Sequence, residues 1–252
     1  MSRSVFIDAA FEGLPDIALG GYSGGLLGRE LGPNCEVTLR RAIPTRTEVE
    51  IALTATGAEL RIGDGIYAEG RVADLDIDLP SAVSVSDAEA ASAHYPGFKG
   101  HFFPRCFCCG PARERPDGLR IFPGPVDGAG VMAALWTPAP DHSDGGRTPP
   151  QIVWSALDCP GIWALIVSDL PGPDTKAVTA RMAVSIVGPV VPDQPHVVMA
   201  WPVARDGNKL YAGAAIFSAD GQPLAIAKQT MAITGAGVPL DPGSWLKADL
   251  TQ

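Results

Sequence analysis

The stretch Val153-Trp154-Ser155-Ala156-Leu157-Asp158-Cys159-Pro160-Gly161-Ile162-Trp163 sits inside the longest apolar run of the chain, Ile152 to Leu170. A run of that length, apolar all round, predicts a buried helix. Four alternating segments follow it: Val178 to Val187, His196 to Arg205, Tyr211 to Ser218 and Leu224 to Thr234. Turn signals at Asp206-Gly207-Asn208 and Asp220-Gly221 join them as antiparallel hairpins. Strand-like Gly118 to Phe122 and Val131 to Trp136 precede the helix. The order is strand, buried helix, antiparallel strands.

The same order stands upstream. A strand-like start within Met1 to Pro15 leads to a Gly-rich segment, Gly20-Gly21-Tyr22-Ser23-Gly24-Gly25-Leu26-Leu27-Gly28-Arg29-Glu30-Leu31. Alternating runs Cys35 to Arg41, Glu48 to Thr54, Glu59 to Ile62 and Ile66 to Leu75 come next, with a turn at Gly63-Asp64-Gly65. In the first run Val37 and Leu39 face one way and Thr38 and Arg40 the other, the period of a half-buried strand. Local echoes pair Leu39–Pro44 with Val184–Pro189 and Tyr67–Leu75 with Leu224–Ile233. From Leu79 to Phe103 the pattern dissolves into Ser, Ala, Pro and Gly and reads as a linker. The chain therefore divides into residues 1–98 and 99–252, two units of one α+β architecture.

Composition supports this. The chain has 252 residues, 46% hydrophobic and 19% charged, which suffices to fill a core. With 29 Gly and 24 Pro, long helices have little room. A formal charge of −9 opposes a nucleic-acid or anionic-membrane surface, because both need a basic field. No apolar leader follows Met1, and no apolar run is long and unbroken enough to span a bilayer. Cys35, Cys106, Cys108, Cys109 and Cys159 are odd in number and clustered, unlike a secreted disulfide framework. The expected setting is the cytoplasm.

Cys106-Phe107-Cys108-Cys109-Gly110, followed by Asp117-Gly118-Leu119-Arg120-Ile121, resembles the CFxCG…GLxL opening of hotdog-fold acyl-CoA thioesterases. The resemblance covers residues 100–235, and residues 1–80 resemble a second, diverged hotdog. It implies a double hotdog, an acyl-CoA or related acyl thioester as substrate, and no cofactor or metal. It also implies association of copies through the sheets. In this family an HGG segment opens the central helix and an acid stands nine residues on. Asp158 stands nine after Pro149, yet Pro149-Pro150-Gln151 replaces His-Gly-Gly, and Pro150 has no N–H to polarise a carbonyl. In the first half Leu19-Gly20-Gly21 holds that register, but Gly28 stands where the acid belongs.

The family assembles each site from two hotdogs. The resemblance therefore implies one composite site, Gly20 and Gly21 as donors with Asp158 as base or nucleophile, and a dead one at Pro150 and Gly28. Thr179, on the strand after the helix, matches a residue that orients the attacking water. Tyr22, Trp154 and Trp163 bracket the helix starts and could line an acyl pocket. Arg41, with Arg40, Arg46, Arg113, Arg115 and Arg120, could meet CoA phosphates.

Other readings stay open. No other charge lies within five residues of Asp158, so burial would raise its pKa, as suits a base. Pro160 could instead restart the helix with Asp158 as its cap. Gly21-Tyr22-Ser23-Gly24-Gly25 spells the G-x-S-x-G of a nucleophile elbow, but too few residues precede it for the parallel sheet that elbow needs. His94, His101, Cys106 and Cys109 are zinc-ligand types, yet a second Cys-x-x-Cys is absent and the hotdog opening accounts for these cysteines. Gly100-His101-Phe102-Phe103-Pro104 is similar to a motif of hotdog dehydratases, without the helix that should follow it. The alternative functions are thus a non-hydrolytic acyl-binding hotdog or a biosynthetic one such as a dehydratase.

Overall fold

A computed structural model describes residues 2–235 and 237–240; residues 241–252 of the C-terminal half lie outside the described residues. The first half runs β1 (Ser2–Ile7), a small hairpin of β2 (Glu12–Leu14) and β3 (Ile17–Ala18), then α1 (Gly20–Leu31). Four strands follow: β4 (Asn34–Leu39), β5 (Thr47–Leu53), β6 (Ala58–Ile62) and β7 (Gly65–Val72). A bridging stretch carries α2 (Val85–Ala93). The second half runs β8 (Gly124–Pro125), β9 (Met132–Trp136), α3 (Pro150–Ile166), β10 (Lys176–Ile186), β11 (His196–Asp206), β12 (Lys209–Ser218) and β13 (Pro223–Thr234), with β14 (Val238–Pro239) pairing with β10.

One antiparallel sheet carries both halves, in the order β1-β5-β6-β7-β4-β10-β13-β12-β11-β9-β8. The topology is duplicated. In each half the strand before the helix lies at the outer side, and the strand after it (β4 or β10) lies at the middle. β4 and β10 pair antiparallel, Val37 against Met182, so the halves meet about a pseudo-two-fold axis. The echoed segments seen in the sequence fall at equivalent places, running off the ends of β4 and β10 and along β7 and β13. The fold is a double hotdog, with α1 and α3 wrapped side by side by the sheet.

Strand alternation builds two layers. On β12, Leu210, Ala212, Ala214 and Ile216 enter the main core against α3, while Ala215 and Phe217 face outward. That outward face is not wet. α2 and the residues before it, including Ile77, Leu79 and Val83, cover it and the adjoining Val197, Met199 and Trp201 of β11. The stretch read as a linker therefore packs as a second layer, with Ala88 and Ala91 buried. Ser84 caps α2 by accepting the Asp87 N–H at 3.1 Å, a signal hidden among small residues. Gly118 to Phe122, expected as a strand, joins no sheet. Its Leu119 and Ile121 amides bond the Phe107 and Cys108 carbonyls instead, closing the cysteine loop on itself.

α1 is a poor helix by propensity, with glycine at 20, 21, 24, 25 and 28. It forms because its glycine face lets α3 approach closely. A Cβ on Gly21 would lie 2.5 Å from the Trp154 carbonyl oxygen, and one on Gly28 would lie 3.0 Å from the Trp154 Nε1. Leu26, Leu27 and Leu157 are buried around this contact, each worth about 1.5–3 kcal/mol on burial. No helix among the described residues is long and apolar enough to cross a membrane.

Candidate active site

α1 begins without a side-chain cap of its own, since Leu19 precedes it. The orphan amide of Gly21 is met from the other half. Asp158, on α3 and 2% exposed, accepts the Gly21 N–H on Oδ2 at 2.7 Å. Its Oδ1 accepts the Thr179 hydroxyl at 3.1 Å. A bulge at Ala180 shifts the β10–β13 register beside Thr179, which aims that side chain inward. α3 continues through Pro160 to Ile166, so the restart that would make Asp158 a cap of its own helix does not occur. The carboxylate instead caps α1, across the pseudo-two-fold.

Burial pushes the Asp158 carboxyl up to about 6, against the opposing pull of the Gly21 and Thr179 hydrogen bonds. It is thus more basic than an exposed carboxylate, as suits a general base. The Gly20 N–H has no partner among the described residues. Gly20 is half-buried, and a Cβ there would lie 3.2 Å from Asp158 Oδ2. The sequence offers both glycine amides to a carbonyl; in the structure Gly21 holds the acid and Gly20 keeps the open donor.

These groups share a cavity of about 390 Å³ that Gly20, Asp158 and Thr179 line. Its walls are mostly apolar, with Leu14, Ile17, Leu39, Ile43 and Ile162 among them. Trp163 lines it too, as the sequence suggests. Tyr22 and Trp154 do not. Tyr22 stacks on Phe11 at 3.9 Å in the core, and Trp154 is buried against Gly24 and Gly28. Both follow the helix starts in sequence but point into the packed interior.

The arginines separate in the same way. Arg41 is exposed at the cavity wall, 5.5 Å over the Tyr67 ring, with no carboxylate partner among the described residues. Arg40 pairs with Glu69 at 2.6 Å and Arg46 with Asp16 at 2.6 Å. Arg113 is buried and organises the cysteine loop through Asp117 at 2.9 Å and Glu12 at 3.4 Å. Arg115 lies 3.9 Å from Asp193, and Arg120 stacks over Phe122. Ser23 is a buried residue inside α1, in an antiparallel setting, and no nucleophile elbow forms.

Gln229 escaped the sequence reading. Fully buried on β13, it donates its amide N–H groups to the Leu157 and Asp158 carbonyls, the latter at 2.7 Å. Those carbonyls follow that of Ala156, whose helical donor Pro160 removes. Gly161 leaves room for the amide to enter. The legible signal was an amide on the inward face of β13, in line with Ala225, Ala227 and Met231.

The fold places the chain in a recognisable structural class. A tesB protein from Mycobacterium avium subsp. paratuberculosis superposes with a TM-score of 0.59 at 13% identity, over 92% of this chain and 93% of that one. The acyl-CoA thioesterase II TesB2 of Mycobacterium marinum gives 0.58 at 11% identity, over 92% and 93%. A protein of unknown function with a hotdog fold from Alicyclobacillus acidocaldarius gives 0.58 at 9% identity, over 93% and 94%. No protein-family model and no curated protein sequence matches the chain. The chain has the double hotdog fold of thioesterase II proteins.

Proposed function

We propose that the protein hydrolyses acyl thioesters, with acyl-CoA as the substrate class, at one composite site between its halves. The observation that carries this reading is Asp158. A buried carboxylate on one helix meets the amino end of the other half's helix, at the wall of a mostly apolar cavity. The acyl chain occupies the cavity, and the nucleotide end of the thiol carrier lies outward, near Arg41. Asp158 takes a proton from water as the water oxygen bonds to the carbonyl carbon. Developing charge on the carbonyl oxygen is met by the Gly20 N–H and the positive end of α1. Collapse breaks the carbon–sulfur bond, and the departing thiolate recovers the proton from Asp158. Thr179 holds the carboxylate and its water in line.

The residues 1–98 and 99–252 act in this reading as one catalytic unit, since neither supplies both acid and donor. A homo-oligomer formed through the sheets would use the N-terminal half, because α2 covers the outer face of the other. The five thiols are all buried and free, in keeping with a cytoplasmic setting. The test is a panel of acyl-CoAs of increasing chain length, followed by release of free thiol. At least one should turn over, and Asp158→Asn should lower that turnover by ~10²–10⁴-fold. Tight acyl-CoA binding with no thiol release across the panel would replace this reading with a non-hydrolytic acyl-binding one.

A further inference from the structure

Three of the five cysteines converge beside this cavity. Cys106 and Cys109 come from the loop before β8, and Cys159 from the middle of α3, 53 residues beyond Cys106. Their sulfurs lie within 4.8 Å of one another, with Cys106 Sγ 3.5 Å from Cys159 Sγ. A tetrahedral ion with metal–sulfur bonds of about 2.3 Å holds its sulfurs about 3.8 Å apart. The three thiols therefore stand near the spacing of one face of such a shell. Cysteines buried merely as small apolar side chains need no such convergence.

A second observation concerns Cys109. Its sulfur faces two ring N–H groups, Trp163 Nε1 at 3.5 Å and His101 Nε2 at 3.3 Å. The histidine's orientation is set by its backbone neighbour, for the Phe103 N–H donates to His101 Nδ1 at 2.9 Å. The Nδ1 lone pair is thereby engaged, so the neutral ring carries its proton on Nε2 and donates toward sulfur. Ring N–H groups aimed at a cysteine sulfur are the kind of donors that form the outer shell of metal–thiolate sites. Cys106, Cys109 and Cys159 also all line the cavity, whereas the equally buried Cys108 does not.

We propose that Cys106, Cys109 and Cys159 are the three protein ligands of one soft divalent cation, zinc by ligand type, with the fourth position facing the cavity next to Asp158. Binding is a ligand exchange without redox change. Each thiol gives its proton to solvent as its metal–sulfur bond forms, and His101 and Trp163 stay as hydrogen-bond donors to Cys109. The ion would tie the cysteine loop to α3 one residue from Asp158. The set weighed and set aside from the sequence, His94, His101, Cys106 and Cys109, included His94, which is exposed, and lacked Cys159.

The test is elemental analysis of the full chain, produced in zinc-supplemented medium and purified without chelator, beside its intact mass. The expected result is about one zinc per chain, lost in Cys106→Ser and Cys159→Ser and kept in Cys108→Ser. Cobalt(II) added to chelator-stripped wild-type protein should give an intense near-ultraviolet thiolate-to-cobalt band. This second measurement decides the matter if the serine variants fail to fold. Zinc retained in Cys159→Ser, no cobalt band in the wild type, or a mass two hydrogens short with a Cys106–Cys159 disulfide would each overturn the proposal. None of these readouts depends on thioester hydrolysis, so the site and the activity stand or fall separately.

Discussion

The amino ends of α1 and α3 are equivalent by topology and opposite in chemistry. At α1, Gly20 and Gly21 present backbone amides, and Asp158 of the other helix accepts one of them. At α3, Pro149 and Pro150 occupy the same turn, and Pro150 has no amide to give. Gly28 stands in the register of the acid, and the space an acid side chain would need there is filled by the Trp154 indole. A pocket of about 520 Å³ opens beside Pro149 and Pro150, but its charged groups are Arg147 and the solvent-exposed Arg29–Asp144 pair. α1 thus presents an open amino end and α3 carries a buried acid. Under the proposed function a composite site needs both, so the complementary losses leave one proposed site with its acid and donor and deprive the other of both. A duplicated fold can thus become asymmetric without changing its topology.

The comparison breaks most readily at Asp158. Asp158→Asn should lower kcat by ~10²–10⁴-fold, the usual range for a positioned general base. Its thermal midpoint should stay near the wild type. The Asn oxygen can still accept the Gly21 N–H, and its amide can donate to the Thr179 hydroxyl, leaving no buried group unpaired. Thiol-release kinetics and a melting curve together check both halves of this expectation.

Gly21→Ala attacks the contact between the helices. Its methyl would fall 2.5 Å from the Trp154 backbone oxygen, which cannot turn aside as a side chain could. Overpacking of this kind costs ~1–3 kcal/mol, readable by urea unfolding, and should carry activity down with it. Thr179→Val removes the hydroxyl donated to Asp158 while keeping the shape. Loss of a hydrogen bond to a charged group, about 1.5–3 kcal/mol, predicts a fall in kcat of roughly tenfold or more.

Smaller effects sharpen the contrast. Arg41→Ala should raise KM for acyl-CoA by about 2–5-fold, the scale of an exposed charge, and leave a short pantetheine thioester unaffected. Gly28→Asp should add no activity at all. The new carboxylate would press on the Trp154 indole, and Pro150 at the start of α3 has no N–H to serve as the donor of a second site. Doubled turnover in Gly28→Asp would show that the second site is dormant rather than dead.

Much of this was legible in the chain itself. The order of strand, helix and antiparallel strands, twice over, follows from a period of two on the strands and from one long apolar run. That patterning records which faces must leave water. The two helices, the duplication and the isolation of Asp158 among apolar neighbours were all readable for this reason. What stayed hidden depends on pairs far apart in sequence. Tyr22 and Trp154 look like pocket aromatics until the close approach of α1 and α3 turns them into core. Val85 to Ala93 shows no marked apolar stripe, so only the covered face of β11 and β12 reveals what it packs against.

The sequence by itself determined the duplicated order of strand, helix and antiparallel strands, the apolar surroundings of Asp158 and the missing donor at Pro150, because these reside in local pattern and in the chemistry of single residues. The double hotdog entered through the resemblance carried by Cys106 to Ile121. Tertiary structure alone decided that Asp158 caps the opposite helix, that Gln229 satisfies the carbonyls around Pro160, and that Cys159 meets Cys106 and Cys109. Hydrogen bonds and sulfur–sulfur distances of this kind arise where two helices, a strand and a loop close on one another. No periodicity along the chain encodes such a meeting.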